Sequence, residues 1–238
     1  YGSSSHKGIT MNVAIIPARG GSKRISKKNI KDFLGKPIIA YSIENAIHSN
    51  LFDRVIVSTD DDEIAKVAIK YGAEVPFIRP KKLSGDLLGT HEVVGHAVGW
   101  LEDNNEPVDY VCCLYATAPL IQIKDLTKGF ELIKTGKWES VIAATNFSYP
   151  IFRSFEKLPN GGLRMFFPEH YTSRSQDLVE AYHDAGQFYW ASARVWKDKP
   201  NGFSENSTIV KLPNHLVQDI DTMEDWAKAE NIYENYKL

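Results

Sequence analysis

Segments typical of strands and of helices alternate along the first 147 residues, and this alternation constrains the fold more than any other feature. The apolar runs "NVAIIP" and "RVIVSTD" are typical of buried strands, whereas "PIIAYSIENAIHSN" and "DDEIAKVAIKYG" place apolar residues at helical spacing. A short strand, a helix, a strand, a helix and a strand follow as "VPFIRP", "THEVVGHAVGWLED", "DYVCCLYA", "IKDLTKGFELIKTG" and "SVIAATNF". This alternation predicts an α/β fold with a mainly parallel sheet covered on both faces.

The alternation stops after Phe147 and resumes near residue 181. Residues 148–180 have no helical period and contain hairpin-like segments around Asn160-Gly161-Gly162, so we expect an inserted β-rich arm there. Residues 11–147 and 181–238 would then form the core, the second part contributing "GQFYWASARVW", the strands "STIVKLP" and "HLVQDID", and a final helix. Thr222 and Asp225 have the spacing of a capping box at the start of that helix. Residues 1–10 are small, polar and unpatterned, and we interpret them as a remnant of cloning.

Composition excludes several classes of partner. Of the 238 residues 43% are hydrophobic and 24% are charged, and the net charge of −2 does not favour nucleic-acid or membrane-surface binding. No apolar run approaches the roughly 18 residues of a membrane span, and no secretory signal is recognised. Cys112 and Cys113 are adjacent within an apolar strand, which favours buried, reduced thiols over a disulfide or a metal site. We therefore expect a cytoplasmic protein.

A glycine-containing cationic loop follows the first predicted strand, in "IIPARGGSKRISKKN". The loop carries five cations, Arg19, Lys23, Arg24, Lys27 and Lys28, around Gly20 and Gly21. It lacks the Gly-Lys-Ser/Thr ending of a Walker A loop and the three spaced glycines of a dinucleotide fingerprint. Glycines let backbone amides approach an anion, and open α/β sheets bind ligands where the strands end. The loop is predicted to bind a polyanion, with a solvated basic loop as the alternative.

Asp219 and Asp221 form a second candidate site in "DIDT", at the end of a predicted strand. Carboxylates at positions i and i+2 share one face of a strand, and Mg²⁺ prefers one or two carboxylates together with substrate phosphates. The alternative is an acidic cluster favoured by a helix N-terminus. Paired with the cationic loop, the two aspartates indicate a metal–nucleotide site.

Three further segments carry weaker signals. Arg79, Ser84 and Asp86 lie in a loop of turn-forming residues, "IRPKKLSGDLLGT", and "STDD" (residues 58–61) is more typical of a helix cap than of a site. "SRSQDLVEAYHDAGQFYW" gathers many hydrogen-bonding side chains, which suits either an acidic, polyhydroxylated substrate or a subunit interface.

Together, these motifs resemble the cytidylyltransferases that activate nonulosonic acids, the CMP-sialic acid synthetase family. "IIPARGGSKRISKKNI" is similar to the signature loop of that family, and "RVIVSTDDDEIA", "FIRPKKLSGD", "TAPL" and "DIDT" follow in the family order. The resemblance runs from Met11 across nearly the whole chain. "SRSQDLVEAYHDAGQFYW" is most similar to the branch that acts on pseudaminic acid.

The resemblance implies a doubly wound, Rossmann-like nucleotidyltransferase fold, a homodimer and a requirement for Mg²⁺. Residues 148–180 would be a dimerisation arm that reaches the partner subunit. The substrates would be CTP and a nine-carbon 2-keto sugar acid, joined to give a CMP-sugar and pyrophosphate for surface glycan or flagellin glycosylation.

The resemblance also assigns roles to matching positions. The catalytic residues would be Arg19, Lys23, Lys28, Asp219 and Asp221, and the two aspartates would hold Mg²⁺. The nucleotide would be bound by Ala18, Arg19, Gly20, Lys28, Asn29, Arg79, Ser84 and Asp86. The sugar acid would be bound by Arg174, Gln187, Tyr189 and Tyr115.

Two departures bear on the choice of sugar acid. Sialic acid synthetases commonly carry Gln-Pro-Thr-Ser-Pro where this chain has "YATAP", which favours a different nonulosonic acid, and Val179 stands where the pseudaminic branch is expected to have proline. The alternatives are an enzyme for N-acetylneuraminic or legionaminic acid, and a catalytically silent nucleotide-binding protein of the same fold. A nicotinamide-dependent dehydrogenase is disfavoured because the three-glycine fingerprint is missing.

Overall fold

The strands and helices follow the alternation predicted from the sequence. The computed structural model describes residues 11–85, 89–198 and 202–236, so the predicted remnant at residues 1–10 lies outside the described residues. The strands are β1 (Met11–Pro17), β2 (Asp32–Phe33), β3 (Lys36–Pro37), β4 (Arg54–Ser58), β5 (Val108–Leu114), β6 (Ser140–Asn146), β7 (Phe155–Lys157), β8 (Leu163–Met165), β9 (Tyr182–Ser192) and β10 (Ser207–Lys211). The helices are α1 (Ile38–Ser49), α2 (Asp62–Lys70), α3 (Thr90–Asp103), α4 (Ile123–Lys134), α5 (Ala193–Asp198) and α6 (Met223–Tyr236).

Six strands form the central sheet in the order β10-β6-β9-β5-β1-β4. The pairs β1–β4, β1–β5 and β6–β10 are parallel, whereas β9 is antiparallel to both β5 and β6. Because one strand alone runs against the others, the predicted mainly parallel α/β sheet is confirmed. The carboxyl ends of β1, β4 and β5 consequently meet at one edge, where the loops that follow them can build a common site.

Both faces of the sheet are covered by helices. Apolar side chains of α1, α2 and α4, among them Ile43, Ile64 and Leu126, pack on one face. Side chains of α3 and α5, such as Val98 and Trp196, pack on the other face. Cys112 and Cys113 point to opposite faces and both are buried free thiols, as predicted. None of the helices in the described part of the chain combines the length and apolar character needed to span a membrane.

Two predicted strands are wrong. "VPFIRP" does not join the sheet, and only the preceding Glu74 forms an isolated bridge, with Ile56. Pro76 and Pro80 lack the amide hydrogen that a sheet ladder requires, which explains this failure. "HLVQDID" forms a short 3₁₀ helix at Asn214–Leu216 followed by irregular backbone.

The strand predicted at "HLVQDID" is wrong because a connecting segment outside the sheet can also bury alternate side chains. Ile220 is fully buried against Phe33 and Trp226 in a small cluster formed by β2 and α6, not in the sheet core. Its alternation with polar neighbours therefore imitates a strand. The capping box that follows is confirmed: Asp225 Oδ2 accepts from the Thr222 amide at 2.9 Å, and the Asp225 amide donates to Thr222 Oγ1 at 3.2 Å.

The segment at residues 148–180 contains one antiparallel hairpin, β7–β8, and three short 3₁₀ helices. The hairpin reverses at Asn160-Gly161-Gly162, where Gly161 has a φ of 87°. Several large apolar side chains of residues 148–180 are exposed to solvent, namely Tyr149, Phe155, Leu163, Phe166, Tyr171 and Val179. The domain boundaries and the crossing of this arm to a partner subunit stay predictions.

Candidate functional site

The cationic loop lies directly on the turn that follows β4. The Ala18 amide donates to the Ser58 carbonyl at 2.9 Å, and the Gly20 amide donates to Asp60 Oδ1 at 2.9 Å. A methyl group at position 20 would lie 2.6 Å from Asp61 Oδ2, so the approach requires glycine. The loop is therefore attached to the carboxyl edge of the sheet through its backbone, and the side chains of Arg19, Lys23, Arg24 and Lys28 face a cavity.

That cavity has a volume of about 440 Å³ and brings together most of the predicted nucleotide site. Its lining includes the predicted residues Arg19, Lys23, Lys28, Asn29, Arg79, Ser84, Tyr115 and Asp221. Gly85, Gly89 and Thr90 also line it. Ala18 lines no part of it, because its side chain is fully buried in the sheet core. Asp86 lies outside the described residues.

Lys28 connects the cationic loop to the "DIDT" segment. Its Nζ donates to the Ile220 carbonyl at 2.6 Å and lies 3.6 Å from Asp221 Oδ1. Arg24 also donates to Asp221 Oδ1, at 2.7 Å. The predicted polyanion loop and the predicted metal ligand thus lie at one cavity, although they are far apart in sequence.

Asp219 lies beside this cavity and not in its lining. Burial raises the pKa of the Asp219 carboxyl, nearby Asp221 raises it further, and Lys28 opposes the rise. A carboxylate next to a second carboxylate is stabilised by a bound cation, so the pair suits Mg²⁺ with phosphate oxygens completing its ligands. Across residues 11–85, 89–198 and 202–236, no cluster of three or more His, Cys, Asp or Glu residues could hold a metal without such help.

Arg79 is a buried cation without a full set of partners. Its side chain is 3% exposed, its nearest carboxylate oxygen is Asp60 Oδ1 at 3.8 Å, and its Nε has no hydrogen-bond partner. Burial lowers the pKa of the guanidinium, Asp60 opposes this, and Arg19 adds to it. Because a buried donor costs free energy until it is satisfied, Arg79 is prepared to donate to a ligand in the cavity.

Asn29 and Ser84 both line the cavity. The side-chain amide of the buried Asn29 donates to the Arg19 carbonyl at 2.9 Å and stabilises the conformation of the cationic loop. Ser84 Oγ donates to the Pro80 carbonyl at 3.3 Å.

A second cavity, of about 340 Å³, adjoins the first and shares Gly89, Thr90 and Tyr115 with it. Tyr115 and Tyr189, both predicted to bind the sugar acid, line it with ring centroids 5.2 Å apart. The Tyr189 hydroxyl donates to Asp184, 2.7 and 2.8 Å from its two carboxylate oxygens, and burial raises the pKa of that hydroxyl. Apolar side chains form much of the remaining wall, including Ile142, Val195, Trp196 and Phe203.

The other two predicted sugar ligands lie elsewhere in this chain. Arg174 belongs to the arm, its side chain is 73% exposed, and it pairs with Asp177 at 2.8 Å. Gln187 is buried, and its side-chain amide donates to the Leu216 carbonyl at 3.0 Å. The backbone carbonyl of Gln187 accepts from the backbone amide of Tyr115 at 2.9 Å, so Gln187 supports Tyr115 and does not line either cavity.

Sequence reasoning did not select Asp60, Thr90 or Asp184 for the site. Asp184 lies in the polar segment "SRSQDLVEAYHDAGQFYW", but no spacing rule distinguishes it from its neighbours there. Asp60 lies in "STDD", whose cap-like pattern is explained by Asp61: its Oδ1 accepts from the amides of Glu63 and Ile64 at the start of α2. A position directly after a parallel strand was the available signal for Asp60.

Known proteins resemble this chain in sequence and in fold. A family model described as cytidylyltransferase matches residues 13–159. A pseudaminic acid cytidylyltransferase of Campylobacter jejuni is 50% identical over 93% of this chain and 96% of its own length. A Helicobacter pylori protein that combines a pseudaminic acid cytidylyltransferase with a sugar-nucleotide hydrolase is 42% identical over 87% of this chain and 40% of its own length. A CMP:2-keto-3-deoxy-manno-octonic acid synthetase solved with CTP shares the fold, with a TM-score of 0.71, 17% identity, and coverage of 95% of this chain and 100% of that one.

These similarities extend over most of the chain. The family resemblance drawn from the sequence motifs is confirmed, because a characterised relative matches nearly the full length of both chains at half of the aligned positions. This chain belongs to the cytidylyltransferase family, together with the pseudaminic acid cytidylyltransferases.

Proposed function

We propose that this protein joins CTP and pseudaminic acid to give the CMP-sugar and pyrophosphate. The observation that carries the proposal is the single cavity in which Lys28 Nζ lies 3.6 Å from Asp221, with further cations around it, namely Arg19, Lys23, Arg24 and Arg79. Cations that face a carboxylate across a cavity suit a nucleotide triphosphate that arrives with a divalent metal. The similarity to pseudaminic acid cytidylyltransferases supplies the sugar acid.

The cavity divides into a phosphate end and a base end. Arg19, Lys23 and Lys28 line the cavity and would neutralise the triphosphate at the phosphate end. Arg79 would satisfy its free Nε on the cytidine at the base end, where Asn29 holds the loop and Ser84 forms part of the wall. Cytosine and uracil differ in the donors and acceptors they present, so a buried guanidinium is suited to discriminate between them.

Mg²⁺ belongs to the proposal, with Asp219 and Asp221 as its protein ligands. The raised pKa of the Asp219 carboxyl and the proximity of a second carboxylate are what a divalent cation would relieve. When bound, Mg²⁺ would supply positive charge to the phosphate oxygens.

The reaction needs positioning and charge neutralisation more than covalent help from the protein. The anomeric hydroxyl of the sugar acid would attack the α-phosphorus in line, forming the new P–O bond and releasing its proton to water as the bond to pyrophosphate breaks. Lys28 and the neighbouring cations would stabilise the charge that develops on the leaving pyrophosphate. Holding both substrates in adjoining cavities would provide the orientation that such a displacement requires.

The second cavity would hold the sugar acid. Tyr115 and Thr90 belong to both cavities, so a sugar in the second would have its reacting end next to the nucleotide in the first. Tyr189 and Asp184 add hydrogen-bonding groups to a wall that is otherwise largely apolar.

A homodimer in the cytoplasm completes the proposal. The exposed apolar side chains of residues 148–180 form the kind of surface that a partner subunit covers. Arg174 extends from this arm into solvent, and we propose that it meets the carboxylate of the sugar acid in the partner's site. No nucleic acid and no membrane are expected among the partners.

Pyrophosphate release measured with CTP and each of three sugar acids tests the proposal. We expect turnover with pseudaminic acid to exceed that with N-acetylneuraminic or legionaminic acid. A preference for either of these would reassign the substrate within the family. A Legionella pneumophila CMP-N,N'-diacetyllegionaminic acid synthase is 30% identical over 93% of this chain, so legionaminic acid is included in the test. CTP binding without pyrophosphate release from any of the acids would indicate a catalytically silent protein.

A further inference from the structure

Asp60 lies where three segments of the nucleotide site meet. Its Oδ1 accepts from the Gly20 amide at 2.9 Å, and the same oxygen lies 3.8 Å from the Arg79 guanidinium. The residue before it, Thr59, accepts from the Arg79 amide through its carbonyl at 2.7 Å. One carboxylate oxygen therefore connects the cationic loop to the buried arginine.

The negative charge of Asp60 complements the positive charge of Arg79 and does not complement the anionic ligand that we propose. A carboxylate near a triphosphate repels it, so a phosphate-binding role is excluded for this side chain. A guanidinium that is only 3% exposed needs a compensating negative charge, and Asp60 is the carboxylate that the described residues place within 4 Å of it. Arg19 adds like charge, which increases the need for Asp60.

The neighbouring carboxylate has a different role. Asp61 accepts from the amides of Glu63 and Ile64 at 2.8 and 3.0 Å and caps α2. Gly20 lies so close to this turn that a methyl group there would lie 2.6 Å from Asp61 Oδ2. Asp61 thus stabilises the helix and sets the approach of the loop, whereas Asp60 accepts a hydrogen bond from Gly20 and lies at ion-pair distance from Arg79.

We propose that Asp60 is a positioning residue that holds Gly20 and Arg79 in fixed relation and thereby sets the preference for cytosine. The inference rests on the proposed function, in which the loop that Gly20 anchors supplies the phosphate end of the cavity and Arg79 lies at the base end. Asp60 lies outside the lining of the cavity, so it acts through these two residues and does not touch the nucleotide.

The test compares three variants by isothermal titration with CTP and UTP, and by pyrophosphate release. Asp60→Asn keeps an oxygen for the Gly20 amide and removes the charge that compensates Arg79, whereas Asp60→Ala removes both. Asp62→Asn is the matched control, because Asp62 is an exposed carboxylate in the first turn of α2 and does not line the cavity. If Asp60→Ala fails to fold, Asp60→Asn alone decides.

We expect Asp60→Asn to raise the Kd and the KM for CTP about tenfold, with a smaller change in kcat, because the buried Arg79 guanidinium loses its compensating charge. The preference for CTP over UTP should fall in the same variant, and Asp62→Asn should match the wild type. An unchanged CTP/UTP preference in folded Asp60→Asn would overturn the inference, as would a lower Tm with wild-type nucleotide affinity. Absence of pyrophosphate release by the wild type would instead overturn the proposed function, so the two failures are distinguishable.

Discussion

Lys28 is the cation that joins the cationic loop to the "DIDT" segment, and Lys28→Met should disable turnover without unfolding the protein. Its side chain is 21% exposed, with Nζ 2.6 Å from the Ile220 carbonyl and 3.6 Å from Asp221 Oδ1. Methionine retains most of the length of the side chain and removes the charge. The substitution therefore separates electrostatics from packing.

The magnitude follows from the geometry. Two unit charges about 4 Å apart interact by about 1 kcal/mol in water and by about 4 kcal/mol at the effective dielectric constant of a protein surface. Removing one donor that stabilises a developing negative charge typically costs about a hundredfold or more in rate, or about 2.7 kcal/mol, which lies inside that range. We therefore expect kcat to fall by at least about a hundredfold.

The assay is pyrophosphate release at saturating CTP and sugar acid with Mg²⁺, and Lys27→Met is the matched control. Lys27 is adjacent in the chain, but its side chain is 64% exposed, it pairs with Glu63 at 2.5 Å, and it does not line the cavity. An exposed pair of this kind contributes about 0.2–1 kcal/mol, so Lys27→Met should retain activity within a few-fold of the wild type. Folding of both variants is checked by thermal unfolding.

The reasoning is refuted if folded Lys28→Met keeps more than about a tenth of wild-type turnover, because a transition-state charge partner is worth more than that. An equal loss of turnover in Lys27→Met would also refute it, since the effect would then come from net charge and not from position.

EDTA should abolish pyrophosphate release and added Mg²⁺ should restore it, because Asp219 and Asp221 are proposed to hold the metal. Tyr189→Phe removes the hydroxyl that donates to Asp184 and should lower kcat/KM for the sugar acid about tenfold while leaving the Kd for CTP unchanged. Burial lowers the pKa of His96, and nearby Arg79 and Lys82 lower it further. The neutral imidazole therefore favours the folded state above the unfolded pKa of about 6.5, and this stability is lost as the pH falls. His96→Gln should reduce the loss of unfolding free energy between about pH 7 and pH 5, measured by urea denaturation. Gly129→Ala would place a methyl group 2.7 Å from the ring of Trp190 and should destabilise the protein by about 1–3 kcal/mol.

Each of these has an outcome that contradicts it. Metal-independent turnover would remove the role of the two aspartates, and an equal loss of CTP affinity in Tyr189→Phe would show that the second cavity is not separate from the first. An unchanged pH dependence in His96→Gln would assign the acid sensitivity to other groups. Gly99→Ala is the control for Gly129→Ala, because a methyl group there meets no atom within 4 Å and should stabilise α3 by about 0.5–1 kcal/mol.

Local periodicity predicted the strands and helices where one face of the element, or the whole element, is buried in the core. The strand–helix alternation, the buried cysteine pair and the capping box at Thr222 are confirmed because each depends on residues within a few positions of one another. The two strand errors have the opposite cause. "VPFIRP" is apolar but contains two prolines, and "HLVQDID" alternates because Ile220 is buried in a cluster that distant residues form.

Much of the candidate site was predictable from position, since loops at the carboxyl ends of parallel strands meet at one edge. Four of the loop cations, together with Arg79, Ser84 and Tyr115, accordingly share one cavity, which Asp221 joins from a segment outside the sheet. Arg174 and Gln187 were assigned by the family resemblance, and in this chain Arg174 is exposed to solvent whereas the Gln187 side chain is buried and donates to the Leu216 carbonyl.

By itself, the sequence determined the class of fold, the order of the elements and the family, because apolar periodicity and the spacing within motifs are properties of a linear chain. Only the tertiary structure decided which residues touch. Lys28 reaches the Ile220 carbonyl across 192 positions, and β9 runs antiparallel between β5 and β6. Asp60 meets both Gly20 and Arg79 for the same reason: contacts between distant segments depend on how the sheet brings strand ends together, and no local pattern encodes that arrangement.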